Sequence, residues 1–296
     1  LVLDRHGTIL RAAPETADSQ VPLIGINLGT LGYLTEVEKK GMEDARDGFP
    51  IFIDAVRKLQ PKVFMFENVR GLLYSNKWYF DLVIDELQKL GYFIDYKLLN
   101  AVNFGVPQNR ERAIIKIYKK GLKWEEPIKE PEINLKKAIG KLPTLESGET
   151  SKIKYHFARN HTEEHILSMS HTPTGKSAFQ NKVYYPKKRT GERIKGFLST
   201  YKRMDWLKPA PTITMSSGAI GSHNNVHPGR KRKDGTYTDA RVLTLLELFI
   251  VSSIPLSIEI DLEKYSENFI RQIIGEAVPP LMMKKIIQKI TEKEAK

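Results

Sequence analysis

Apolar residues at Phe49, Phe52, Ile53, Val56 and Leu59 recur every three or four positions, which predicts a helix with one apolar face. Pro61 ends it. Val63-Phe64-Met65-Phe66 is a short unbroken apolar run, the pattern of a strand buried on both faces in a parallel sheet. Trp78 to Leu90 returns to helical spacing and stops at Gly91. Tyr92 to Leu98 and Ala113 to Tyr118 read as further strands, and two short ones, Leu1-Val2-Leu3 and Val21 to Ile26, are predicted upstream. Helix and strand thus alternate to about residue 118, which predicts an open α/β sheet.

The pattern changes after Lys119. Pro127, Pro131 and Pro143 mark a linker, and a long stretch of weak periodicity follows. Helical spacing returns from Ala240 through Val242, Leu245, Leu246, Phe249 and Ile250. A last helical stretch is expected from Asn268 to Lys293, interrupted by Pro279-Pro280. The expected organisation is a segment at 1–40, a partial α/β domain at 41–119, a smaller domain at 120–239, and a return to the first domain at 240–296.

Charge sharpens this division. The stretch from Lys152 to Lys233 holds 17 Lys and Arg against four acids, an excess larger than the net +12 of the whole chain. Six of the seven histidines lie there, interleaved with Tyr155, Phe157, Tyr184, Tyr185, Phe197, Tyr201 and Trp206. Cations displace counterions from a phosphate backbone and rings stack on bases, so nucleic acid is the favoured partner; a solvated basic face is the plainer alternative. No apolar run is long enough for a membrane span and no secretory signal is visible, so a soluble cytoplasmic protein is expected. There is no cysteine, which excludes disulfides, thiolate metal sites and a cysteine nucleophile from these residues.

Two constellations carry candidate chemistry. Glu67 and Asn68 follow the predicted strand at its C-terminal end, where open α/β sheets place their ligands; a loop-capping pair is the alternative. In extended chain Gln108, Arg110 and Arg112 share one face, and an amide with two guanidiniums suits phosphate and base-carbonyl contacts. A solvated edge fits these three equally well. His161-Thr162-Glu163-Glu164-His165 has the spacing of an inverted zinc-protease motif without any supporting feature, so no metal is expected. Gly175-Lys176-Ser177 lacks the first glycine of a phosphate loop, with Ser170 in its place.

Taken together, these motifs resemble those of cytosine-5 DNA methyltransferases. Glu67-Asn68-Val69 and Gln108-x-Arg110-x-Arg112 resemble motifs VI and VIII. Pro209-Ala210-Pro211-Thr212-Ile213-Thr214 and Ala240-Arg241-Val242-Leu243-Thr244 are similar to the region of motif IX, and Gly275-Glu276-Ala277-Val278-Pro279-Pro280 to motif X. The resemblance runs from about Gly41 onward. It implies a Rossmann-like, S-adenosylmethionine-dependent methyltransferase sheet of α/β class, with its N-terminal strands missing and a smaller target-recognition domain.

It also implies a reaction. A cytosine is flipped from double-stranded DNA, a cysteine adds to C6, and C5 takes the methyl of S-adenosylmethionine. By the resemblance Glu67 holds N3 and the amino group of the base, Arg112 contacts its C2 carbonyl, Arg110 and Gln108 support phosphate and loop, and Asn68 braces the site. The DNA-binding candidates are Gln108, Arg110, Arg189, Arg193, Lys195, Lys202, Arg203, Arg230 and Arg232. The cofactor candidates are Glu276, Ala277 and Val278.

The chain departs from the family at three places. The glycine-rich cofactor turn and the Pro-Cys nucleophile motif, due before Gly41-Met42-Glu43-Asp44-Ala45-Arg46, are both absent, and Glu276 stands where motif X has Asn. Upstream, residues 1–38 resemble a fragment of NAD kinase, with His6 in Asp4-Arg5-His6-Gly7-Thr8 replacing the Asp that activates the NAD hydroxyl. A natural fusion, an assembly artefact and a deliberate chimera all give such a junction. So does a split enzyme whose other chain supplies the cysteine and cofactor site, and a restriction endonuclease is a further expected partner. The expected state is a methyltransferase by descent that is inactive alone. The alternatives are a non-catalytic DNA-binding subunit and, last, a NAD kinase relative.

Overall fold

The computed structural model describes strands Val2–Leu3 and Gly25–Asn27 and residues 49–188 and 190–292. The remainder of the NAD-kinase-like segment, Gly41 to Arg46 and Arg189 lie outside the described residues. The chain divides into two compact units.

The first unit takes Leu1–Asn100, Glu111–Pro127 and Ile286–Lys296. Its main sheet has five strands: β1 (Val2–Leu3), β2 (Gly25–Asn27), β3 (Val63–Asn68), β4 (Phe93–Asn100) and β5 (Glu111–Tyr118), in the order β1-β2-β3-β5-β4. The first three are parallel, whereas β5 runs antiparallel to both β3 and β4. The expected buried strand is therefore parallel to one neighbour only, because an apolar run reports burial and not strand direction. Every residue of β3 is buried.

Helices α1 (Phe49–Leu59) and α2 (Lys77–Lys89) supply the apolar faces predicted for them. Phe49, Phe52, Ile53 and Val56 pack with Phe80, Val83 and Leu87 of α2 and with Phe64, Phe66, Ala113, Ile115 and Ile117 of the sheet. Side chains alternate across a strand, so Met65 and Glu67 of β3 and Arg112, Ile114 and Lys116 of β5 take the opposite face. A second, two-stranded sheet pairs β6 (Leu122–Trp124) with β7 (Ile290–Glu292). A helix was expected as far as Lys293; instead Ile290 and Thr291, both β-branched, pair with Trp124 and Lys123, so tertiary pairing overrides the helical period there.

The second unit takes Ala101–Arg110 and Ile128–Lys285. Its regular elements are short: α3 (Leu135–Ile139), α4 (Glu163–Ser170), α5 (Leu245–Val251), α6 (Glu267–Glu276) and most of α7 (Pro280–Ile287). Leu135, Ile139, Leu243, Leu245, Leu248, Phe249, Ile270 and Ile274 form its principal core. Helix α5 starts at Leu245, not at Ala240. Thr244 caps it: its hydroxyl accepts the Glu247 amide at 3.2 Å, and the Glu247 carboxylate accepts the Thr244 amide at 2.7 Å. The break expected at Pro279-Pro280 falls between α6 and α7.

Candidate functional site

The first-unit site lies at the C-terminal end of β3. Glu67 pairs in register with Ile114, which sets Arg112 diagonally across the two strands on the same face. The Glu67 carboxylate lies 3.3 Å from Nε of Arg112, and the two side chains retain only 11% and 14% of their exposure. Burial lowers the Arg112 guanidinium below its usual range, against the pull of Glu67. Arg112 also donates to the Glu111 carbonyl at 2.7 Å. Asn68 Oδ1 accepts the Val69 amide at 2.8 Å, while its buried Nδ2 has no hydrogen-bond partner. A carboxylate and a guanidinium held side by side at a strand end offer one acceptor edge and one donor edge, which can meet a donor and an acceptor on the edge of a ligand ring.

In the second unit Gln108 and Arg110 do something different from the exposed contacts expected of them. Both are buried. Gln108 donates to the Val251 carbonyl at 3.3 Å and to Ser252 Oγ at 3.0 Å, and its Oε1 accepts the Ile213 amide at 3.4 Å. Arg110 donates to the carbonyls of Ile213, Gly275 and Glu276 at 3.0, 2.9 and 3.0 Å. Pro107 and Asn109 bond Ala210 on either side of an isolated parallel bridge. The sequence segments singled out around Gln108, Pro209–Thr214 and Gly275–Pro280 thus meet at one guanidinium. Gly275 is required there, since a Cβ would lie 2.4 Å from Thr214 C and Met215 N.

Arg203 departs further from the DNA-contacting role predicted for it. It is fully buried, and its guanidinium donates to the carbonyls of Met169, His227, Thr238 and Asp239. Burial pushes it down to about 10, against the attraction of Asp239. Arg230 is half-buried over Trp206 and donates to Thr144 and to the Gly140 and Leu142 carbonyls. Arg232 pairs with Glu146 at 2.7 Å. Arg193 and Lys195 are exposed and Lys202 is intermediate, while Arg189 lies outside the described residues. A unit with few regular elements leaves many carbonyls without ladder partners, and arginine's five donors serve them.

Sequence reasoning missed an ionic network in this unit. Arg241 grips Glu247 with Nη1–Oε2 at 2.7 Å and Nη2–Oε1 at 3.0 Å, and reaches Asp239 at 2.9 Å. His227 stands 3.5 Å from Glu247 and 3.7 Å from Asp239. Burial raises Glu247, yet Arg241 outweighs it and holds the carboxyl well below its ordinary value. Burial, aided by Arg241, pushes His227 down to about 4. The available signal was Thr244-x-x-Glu247, a capping-box spacing just before an apolar run.

His161 is pushed down to about 4, chiefly by burial, and its Nε2 lies 3.3 Å from the Val242 amide, as suits a neutral acceptor. His165 lies 3.4 Å from the Tyr201 hydroxyl. Among the described residues no group of three or more His, Asp or Glu is placed to hold a metal.

The cofactor candidates close α6. Glu276 accepts Gln272 Nε2 at 3.4 Å, the Ala277 amide bonds Ile273, and Ala277 and Val278 are half-buried. One carboxylate and two small apolar side chains do not make a site for S-adenosylmethionine, whose sulfonium and ribose need further partners. These residues alone do not fit the whole group.

Residues 35–292 match the family model of C-5 cytosine-specific DNA methylases, and the chain belongs to that family. It is 45% identical over 245 residues to the Type II methyltransferase M1.HgaI of Avibacterium volantium, covering 80% of this chain and 68% of that protein. It is 31% identical to M1.HphI of Haemophilus parahaemolyticus, covering 82% of this chain and 60% of that protein. Among solved structures, the Entamoeba histolytica methyltransferase EhMeth matches with a TM-score of 0.57 at 13% identity, over 90% of this chain and 76% of the other. The S. pombe Dnmt2 methyltransferase matches with a TM-score of 0.54 at 12% identity, over 95% and 80%. These likenesses show the α/β methyltransferase fold. Residues 6–48 match a second model, the ATP-NAD kinase N-terminal domain.

Proposed function

We propose that this chain is the base-holding and DNA-reading part of a DNA cytosine-5 methyltransferase. The observation that carries this is the Glu67–Arg112 pair, 3.3 Å apart and nearly enclosed at the end of the central strand. Glu67 holds N3 and the amino group of a flipped cytosine, and Arg112 donates to its C2 carbonyl. Asn68 braces Glu67 through the turn at Val69. Arg110 and Gln108 fix the main chain of the second unit. Arg193, Lys195 and Lys202 supply phosphate contacts. When bound, S-adenosylmethionine would supply the methyl group, and Glu276, Ala277 and Val278 would contribute to holding it, with further partners needed for the rest of the group.

The 296 residues contain no thiol, so addition to C6 needs a cysteine from another chain or segment. That favours a second reading, in which this chain binds DNA without turning it over. Transfer of labelled methyl from S-adenosylmethionine to mixed-sequence DNA by the purified chain separates the two. No transfer is expected from the chain alone, and transfer is expected once a cysteine-bearing N-terminal partner is added. Turnover by the chain alone would defeat the argument from the missing thiol. Absence of DNA binding at low salt would defeat both readings.

A further inference from the structure

The second unit exposes two large apolar side chains in a basic setting. Phe197 retains 76% of its exposure and Leu198 58%. They occupy a tight turn whose shape is fixed by polar contacts. The Thr200 amide and hydroxyl both donate to the Phe197 carbonyl, at 2.9 and 2.8 Å. The Asn224 amide donates to the Ser199 carbonyl at 2.7 Å, and Ser199 Oγ lies 2.8 Å from His223 Nδ1. Gly196 backs onto the ring of Phe179, where a Cβ would come within 2.9 Å. The turn is therefore anchored from behind while its apolar side chains face outward.

Beside it stands a short antiparallel ribbon. Lys187 bridges Arg193, the Lys188 amide donates to Glu192 and the Ile194 amide to Pro186. The guanidinium of Arg193 lies over Tyr185 at 4.5 Å and donates to the Phe179 carbonyl, which ties the ribbon to the base of the turn. Lys187 flanks the same tyrosine at 5.4 Å, and Lys195 is exposed. The one acid of the ribbon, Glu192, is neutralised by Lys188 at 2.9 Å. Exposed basic side chains on the ribbon that leads into an outward-facing aromatic turn match the surface of a nucleic acid, which offers phosphates outside and base faces within.

We infer that the Phe197-Leu198 turn is a wedge that enters a base step of duplex DNA while Lys187, Arg193 and Lys195 hold the flanking phosphates. The inference rests on the reading of this unit as a DNA reader. Entry unstacks or kinks the step, so affinity gains an uncharged component that phosphate contacts cannot supply.

The test uses the full chain and a pool of mixed-sequence duplexes, titrated at several salt concentrations. Phe197→Ala is expected to weaken binding by at least about tenfold while leaving the slope of affinity against salt unchanged, because it releases no counterions. Lys187→Gln with Arg193→Gln is expected to flatten that slope. A Phe197→Trp variant is expected to lose the fluorescence of the added indole on binding DNA. Phe197 is exposed, so the melting temperature of each Phe197 variant should match that of the parent. Wild-type binding with an unaltered Phe197→Ala variant overturns the wedge and leaves the DNA-reader assignment standing. No binding by the wild type at low salt overturns that assignment as well. A Phe197→Ala variant that changes only the sedimentation of the chain also overturns the wedge, since the face then belongs to a second copy.

Discussion

Arg241 and Glu247 form a bidentate ion pair with both side chains essentially removed from solvent, and Glu247 simultaneously caps the helix it stands on. One carboxylate therefore fixes the entry to α5 and neutralises a guanidinium beneath it. Replacing only one partner leaves a buried charge unpaired, which costs about 3–5 kcal/mol. Arg241→Met and Glu247→Leu are each expected to unfold the second unit at moderate urea. The double variant should recover part of the loss, since Asp239 still lacks its bond to Arg241. A double variant no more stable than either single one would show that the capping bond, and not the ion pair, dominates.

His227 makes the fold sensitive to acid. Its folded-state pKa is about 4 against an ordinary 6.5, so between these values the unfolded chain binds a proton that the folded chain does not. Stability from this group is present above pH 6.5 and falls as pH drops toward 4. The loss between pH 7 and pH 5 is on the order of 2 kcal/mol. Glu247, held low, adds a second loss only below the ordinary carboxylate range. Urea midpoints across pH 7 to 5 should decline in the parent chain and decline less in His227→Gln, whatever that variant costs at pH 7. Parallel curves would rule out His227 as the source.

Gly275 and Arg110 should show different tolerances from Arg112. Gly275→Ala forces a Cβ into the Thr214–Met215 peptide and is expected to cost about 2–3 kcal/mol. Arg110→Lys removes the planar fork that serves three carbonyls and should also lower the melting temperature. Arg112→Lys is expected to leave melting nearly unchanged and to weaken capture of cytosine-bearing DNA. Equal melting losses at both arginines would mean that Arg112 also serves the fold.

Glu67→Gln tests the base-holding role. The carboxylate pairs with one nearly enclosed arginine, so its neutralisation leaves that cation unpaired and is expected to cost up to about 3 kcal/mol. Binding to a duplex whose cytosine lies opposite an abasic site should persist in Glu67→Gln, whose amide donates to N3 and accepts from the amino group, and fall in Glu67→Ala, which does neither. Unchanged binding by Glu67→Ala would remove Glu67 from the site.

The first unit was largely legible. Phe49 to Leu59 gave a helix because its apolar spacing is that of a helix packed on one side, and the run Val63 to Phe66 gave a buried strand because four consecutive apolar residues leave no polar face. Strand direction was not legible, since Val63 to Phe66 carries no mark of which neighbour is antiparallel. The roles of the arginines were the main blind spot. Arg203 and Arg193 look alike in a basic stretch, yet one is enclosed among carbonyls and the other lies on a tyrosine at the surface. Charge content counts both as phosphate contacts; only the path of an irregular backbone separates them. Arg241 was noticed through its motif, but Asp239 and His227 were not, because their meeting depends on loops with no periodicity.

Arg110 donates to three main-chain carbonyls, those of Ile213, Gly275 and Glu276. What it recognises is a course of backbone, not a sequence. The residues at 213 and 276 can change identity without breaking those bonds, provided the chain keeps its route and position 275 stays glycine. A unit organised around such an arginine can vary its surface loops while its main-chain frame holds, with one small glycine as the fixed condition of each change.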